Sequence, residues 1–269
     1  MTFPSSIAEI NQRSPAERDK LYARFIPQVL WERFHINPSN FADAGGSRLL
    51  TVSAEPAGSV VEVDLRHTVG APDPLLYGQL TDTLSGQIHI LLYVVNDPAS
   101  PRFDTDRMPD GSRTQFGVLG RNVPAEEAAM AARLAPGQVR RGLRILSESI
   151  LAFETFVSLL GKDLYFAEPL SYHNAVVFER YGFAYQQGRR WMESIDTRFR
   201  QDGDLLRRLD GSNPFRLPQA SRTILGRSWA IHDGILGEPF TGVHMYKVVG
   251  KQAGVDTFRG GIWREPDRV

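Results

Sequence analysis

The chain has 269 residues, enough to bury a sizeable core without covalent staples, and it contains no cysteine, which excludes disulfides, thiolate metal sites and a cysteine nucleophile and favours a reducing compartment. Its 31 basic and 31 acidic side chains cancel, which excludes attraction to nucleic acid or anionic membrane by bulk charge. No run approaches the roughly 18 apolar residues of a membrane helix, so a soluble, cytoplasmic protein without nucleic-acid or membrane partners is expected.

The first element expected is one amphipathic helix over residues 14–35, opened by a capping box of Ser14 and Glu17 with Pro15 at the first helical position. A loop follows over 37–47. The pattern then changes to strands at 48–53, 59–66, 74–81 and 86–95; the last is a run of adjacent β-formers that reads as a central strand covered on both faces. Residues 96–113, with Pro98, Pro101, Pro109 and Gly111, form a long turn-rich loop. A short strand at 114–119 and a short helix at 124–134 come next. Apolar residues at helical spacing from Leu143 to Leu160 predict the longest helix, continuous over 136–161 and stopped by Gly161. A strand at 164–167, a helix at 172–181 stopped by Gly182 and a strand at 183–187 complete an α/β pattern. The carboxyl third is expected to close with a β-hairpin of 228–236 and 242–249.

Two segments carry a family resemblance. Phe178, Glu179, Arg180, Tyr181, Gly182 and Phe183 form an aromatic, acidic and basic run before Gly-Phe. Residues 139–146 place Arg140, Arg141 and Gly142 at the head of the long apolar pattern. Together with the order of strands and helices, these segments resemble the GNAT superfamily of acyl-CoA-dependent N-acyltransferases. The resemblance covers residues 50–187. It implies a mixed central sheet with helices on both faces, a diphosphate site at a helix N-terminus and acetyl-CoA or another acyl-CoA as cosubstrate. Cofactor binding would fall to Arg140, Arg141, Gly142 and Arg144. The family's two glycine positions hold Arg144 and Leu146 here, and Phe178 stands where many members carry a proton-donating tyrosine. His173 and Tyr172, with Glu168 just upstream, are the candidates for proton transfer.

Other constellations read as follows. Asp97, Asp104, Asp106 and Asp110 crowd one loop, but Arg107 and Pro109 interrupt a calcium-type spacing, and a solvated loop is the simpler reading. His232 and His244 flank the expected hairpin turn; a turn of three or five residues would pair them, with Asp64 or His67 beside them, as a transition-metal site. No metal is expected, because the histidines are scattered. The organisation expected is an amino-terminal helical segment over 1–47, a GNAT-like α/β core over 48–188 and a carboxyl-terminal extension over 189–269. The function expected is N-acyl transfer to a small amine. The alternative is a non-catalytic ligand-binding or assembly protein on the same scaffold, with a homodimer covering the apolar hairpin.

Overall fold

The computed structural model describes residues 3–114, 120–259 and 261–263. In chain order the first half holds α1 (Ile7–Asn11), α2 (Pro15–Tyr22), α3 (Gln28–Arg33), β1 (Leu50–Ser53), β2 (Val60–Leu65), β3 (Leu76–Asp82), β4 (Ile88–Val95) and α4 (Val123–Ala131). The second half holds α5 (Leu146–Leu159), β5 (Leu164–Ala167), α6 (Tyr172–Arg180), β6 (Ala184–Gln187), α7 (Arg189–Phe199), α8 (Asp204–Arg207), α9 (Ile224–His232) and β7 (His244–Val248). The chain divides into two compact units, each assembled from three stretches of sequence.

Unit 1 comprises Met1–Ala99, Gly142–Glu168 and Tyr246–Gln252. Its sheet is mixed: β1 to β4 are antiparallel neighbours and β5 joins β4 in parallel. The alternating burial of β1, β2 and β3 shows one face turned to the core. Phe25 fills the space between the sheet and α5, with ring centroids 6.0 Å from Phe153 and 5.7 Å from Phe156. It can do so because β3 carries Gly78 at that point, where an added Cβ would sit 3.1 Å from the Phe25 ring. At the start of α1 the backbone N–H groups of Ile7 and Ala8 donate to the Asp82 carboxylate at 2.9 and 3.0 Å, an anion at the positive end of a helix.

Unit 2 comprises Ser100–Arg141, Pro169–Met245 and Ala253–Val269. In it α9 packs on α6, and Trp229 forms a buried cluster with Phe215, Leu225, Leu134, Ala129 and Ala135. Trp229 Nε1 donates to the Leu134 carbonyl at 2.9 Å. The first turn of α9 is held from outside the helix: Ile224 and Leu225 N–H donate to the carbonyls of Ile262 and Trp263 at 2.9 and 3.1 Å. Gly182, at φ +86°, ends α6 in a left-handed turn, closed by Phe183 N–H on the Phe178 carbonyl at 3.1 Å.

The structure corrects five expectations. The helix over 14–35 is broken: α2 ends at Tyr22, a 3₁₀ turn covers Ala23–Phe25, and α3 restarts behind Pro27, which has no N–H to continue a helix. Ser14 donates to the Glu17 carboxylate at 2.8 Å and does not cap the backbone. The helix over 136–161 is only α5; residues 136–145 are one turn followed by bends and irregular backbone, with left-handed conformations at Gly137 and Arg144. The hairpin is absent, since 228–232 belong to α9 and only β7 is a strand, so the apolar hairpin invoked as a reason for a dimer does not exist. Strand β4 is central, yet only Ile88 is fully buried and the other seven residues are partly exposed, so the strand is not covered on both faces. The short strand expected at 114–119 lies, from residue 115 on, outside the described residues. Among the described residues no helix is long and apolar enough to cross a membrane.

Candidate functional site

In unit 1 the site begins where β4 and β5 part. The pairs Ile88 to Tyr165, His89 to Phe166 and Ile90 to Ala167 are the whole of the β4–β5 ladder, whereas β4 runs on to Val95. On the other side β3 follows β4 to its end, with Leu80 opposite Ile90 and Gln79 opposite Leu92. Leu91 is therefore an extra residue, a bulge that turns the strand at the fork. Beyond it, residues 91–95 keep a strand edge that β5 does not cover.

The chain returns to this edge through Gly142. A Cβ there would meet the Val95 carbonyl oxygen at 3.2 Å, so glycine permits the close approach. Two residues on, Arg144 has φ +61°, a left-handed conformation that favours glycine; it keeps the backbone shape of a glycine position while adding an exposed guanidinium. Then α5 starts at Leu146, with Ile145 as its N-cap residue and no side chain capping it. A helix of 14 residues thus presents its positive end beside an exposed arginine and an open strand edge. Glu168, exposed, directly follows the last paired residue of β5.

The remaining candidates lie in unit 2. Arg140 donates to the Ser100 carbonyl, and Arg141 to the Ala132 carbonyl at 3.0 Å. Tyr172 and His173 stand in the first turn of α6 and are buried, 1% and 6% exposed. The Tyr172 hydroxyl accepts from Arg227 at 3.5 Å. Burial pushes its phenol up to about 12, partly offset by the Arg227 charge. His173 is sealed edge-on against Trp263, ring centroids 6.1 Å apart, with no hydrogen-bond partner for Nδ1. Burial, helped by the nearby His232, brings its imidazole down to about 3, so it is neutral at physiological pH.

His232 and His244 do not pair across strands. His232 Nε2 lies 2.9 Å from a Glu126 oxygen. Glu126 in turn joins Arg121, which reaches Asp233 at 3.0 Å, and Arg216 reaches Asp233 at 2.7 Å. Burial works against both carboxylates, but these donors hold Glu126 and Asp233 below their usual values. Asp64 pairs with Arg66, and Asp104 and Asp106 with Arg102. Among the described residues no group of three potential ligands converges as a metal site.

Sequence reasoning missed two buried polar centres of unit 2. Arg227 pairs with Asp196 at 2.8 Å while its guanidinium lies 3.7 Å from the Phe258 ring centroid. Glu179 accepts from Thr257 N–H at 2.9 Å, from the Thr257 hydroxyl at 2.6 Å and from the Tyr185 hydroxyl, which makes the acid before Tyr181-Gly182-Phe183 an anchor for residue 257. No signal in the sequence pairs residues so far apart. No family model, curated protein or solved structure matches the chain.

Proposed function

We propose that the chain is an acyl-CoA-dependent N-acyltransferase of the GNAT type, transferring an acyl group from acetyl-CoA or another acyl-CoA to a small amine. The observation that carries this reading is the fork in unit 1, where a β4 edge beyond β5 runs toward the uncapped start of α5 and the left-handed turn at Arg144. A CoA thioester presents the matching chemistry in the same order. Its diphosphate suits the N-terminus of α5 and the Arg144 charge, and its pantetheine amides pair with an open strand edge as an added strand would. In this reading Gly142 lets the loop approach β4.

The chemistry needs a neutral amine. Glu168, exposed at the parting of β4 and β5, takes its proton. The amine nitrogen then adds to the thioester carbonyl carbon, the C–S bond breaks, and the nitrogen's second proton passes to the departing sulfur, so that CoA leaves as the thiol and the acyl group remains as an amide. Tyr172 and His173 lie in unit 2, buried and neutral, and take no step in this reading.

One observation favours the second reading, a non-catalytic ligand-binding or assembly protein: the guanidinium groups of Arg140 and Arg141 already donate to backbone carbonyls. Calorimetric titration with CoA separates the two. Acyl-CoA binding predicts saturable heat, stabilisation of about 2.7 kcal/mol at a hundredfold excess over Kd, and affinity at least tenfold weaker in Arg144→Glu, with melting curves confirming that the variant folds. Absence of heat and of stabilisation at millimolar CoA refutes the acyltransferase reading in favour of the second.

A further inference from the structure

Residues 253–259 and 261–263 of unit 2 form a strap without helix or strand of its own, tied to the start of α9 by one isolated bridge from Ile262 to Thr223. Thr257 donates its N–H and its hydroxyl to the Glu179 carboxylate at 2.9 and 2.6 Å. The Phe258 ring lies on the Arg227 guanidinium, its centroid 3.7 Å away. Arg180 donates to the Gly261 carbonyl, and the carbonyls of Ile262 and Trp263 accept from the first two N–H groups of α9. Trp263, part-exposed, then meets His173 edge-on.

The strap thus covers a titratable ring. His173 is the second residue of α6, where the chain lies near the surface: Leu170 is 54% exposed and Asn174 part-exposed. The groups that face the ring supply no partner for Nδ1. His232 of α9, held by Glu126 of α4, opposes a second positive charge; Asn174 on the same helix favours one; the Trp263 indole offers a donor and no acceptor. Burial outweighs these and brings the imidazole down to about 3, so protonation in place is costly. Water reaching the ring removes that cost. A segment without a backbone ladder opens locally at lower free energy than the helices beneath it.

We infer that the strap is an acid-operated cover: proton uptake by His173 displaces Trp263 and releases Thr257 and Phe258 from Glu179 and Arg227, uncovering that carboxylate, that guanidinium and the first N–H groups of α9. The direction follows from linkage. The ring binds its proton near pH 6.5 when solvated and near pH 3 when covered, so the closed strap is favoured above pH 6.5. Below it the open fraction rises about tenfold per pH unit, or about thirtyfold from pH 8 to pH 5. The device lies within unit 2 and is independent of CoA binding, so either reading can fail alone.

The test is amide hydrogen exchange of the full chain between pH 8 and pH 5, read residue by residue by NMR and corrected for intrinsic rates. The probes are the N–H groups of Thr257, Ile224 and Leu225, each of which donates across the contact between strap and helix. Their protection should fall about thirtyfold in the wild type and by less than about threefold in His173→Phe. Amides in the interior of α6 and α9 should stay better protected than the probes at pH 5. His173→Leu gives the same readout should His173→Phe not fold. Protection of the probes that does not change with pH overturns the inference, as does a fall of equal size in the variants, which would assign the effect to Glu179 or another group. Loss of protection in the interior of α6 together with the strap also overturns it, because the unit then opens as a whole.

Discussion

His173 makes stability fall in mild acid, by an amount that follows from its surroundings. The ring is 6% exposed, Nδ1 has no partner and Trp263 closes over it; burial lowers its pKa from 6.5 to about 3. A histidine whose folded pKa lies below its unfolded value contributes stability that is present above the unfolded pKa and is lost as pH falls, because the unfolded chain takes up the proton first. Between pH 6.5 and 3 each pH unit removes about 1.36 kcal/mol, so about 2 kcal/mol is lost by pH 5. His173→Phe removes the proton site while keeping a ring against Trp263. Urea denaturation of wild type and variant from pH 8 to pH 5 reads the effect as a difference, in which the other titrating groups cancel. Wild type minus variant should fall by about 2 kcal/mol, with most of the change below pH 6.5. A difference constant to within about 0.5 kcal/mol would show that the folded protein accommodates the charged imidazole, and the argument from burial would be wrong.

Two further substitutions test the packing of unit 2. Asp196→Ala leaves the Arg227 guanidinium, 3% exposed, without its carboxylate and should cost about 3–5 kcal/mol in chemical denaturation; a loss below about 1 kcal/mol would mean that the Phe258 and Phe199 rings suffice to hold the charge. Gly188→Ala forces a side chain into left-handed backbone at φ +93° and puts its Cβ 2.8 Å from the Gly242 carbonyl oxygen. The conformation alone costs about 1–2 kcal/mol and the clash adds to it, so a melting temperature equal to that of wild type refutes the close approach.

The strands before residue 96 were legible because alternation and β-branched residues agree with one buried face, and α6 was legible from its Gly182 stop. The start of α5 was not. Leu143 and Ile145 are each 8% exposed, so a loop that buries apolar residues continued the helical spacing although its backbone is not helical. For α9, tryptophan and isoleucine suggested a strand, and tertiary packing overrode that propensity. The signal that would have found the helix is Thr223, whose hydroxyl caps Gly226 N–H. Of the candidate site, Gly142 and Arg144 were reached through the family resemblance of residues 139–146 and not through helical spacing. The fork could not be read at all, because it depends on where β5 stops pairing. The sealing of His173 was equally hidden, since its cover, Trp263, comes from a distant part of the chain.

The ladder between β4 and β5 also bears on synthesis. About 70 residues separate the end of β4 from the start of β5, roughly 3 to 14 s of translation at about 5–20 residues per second. Throughout that interval β4, an unbroken run of apolar and aromatic residues after His89, leaves the ribosome without the parallel neighbour that covers its first three residues. A nascent strand of this composition is a template for intermolecular pairing. Recovery of the folded chain from denaturant should therefore fall as its concentration rises, and a chaperone that shields exposed strands during synthesis should raise the yield.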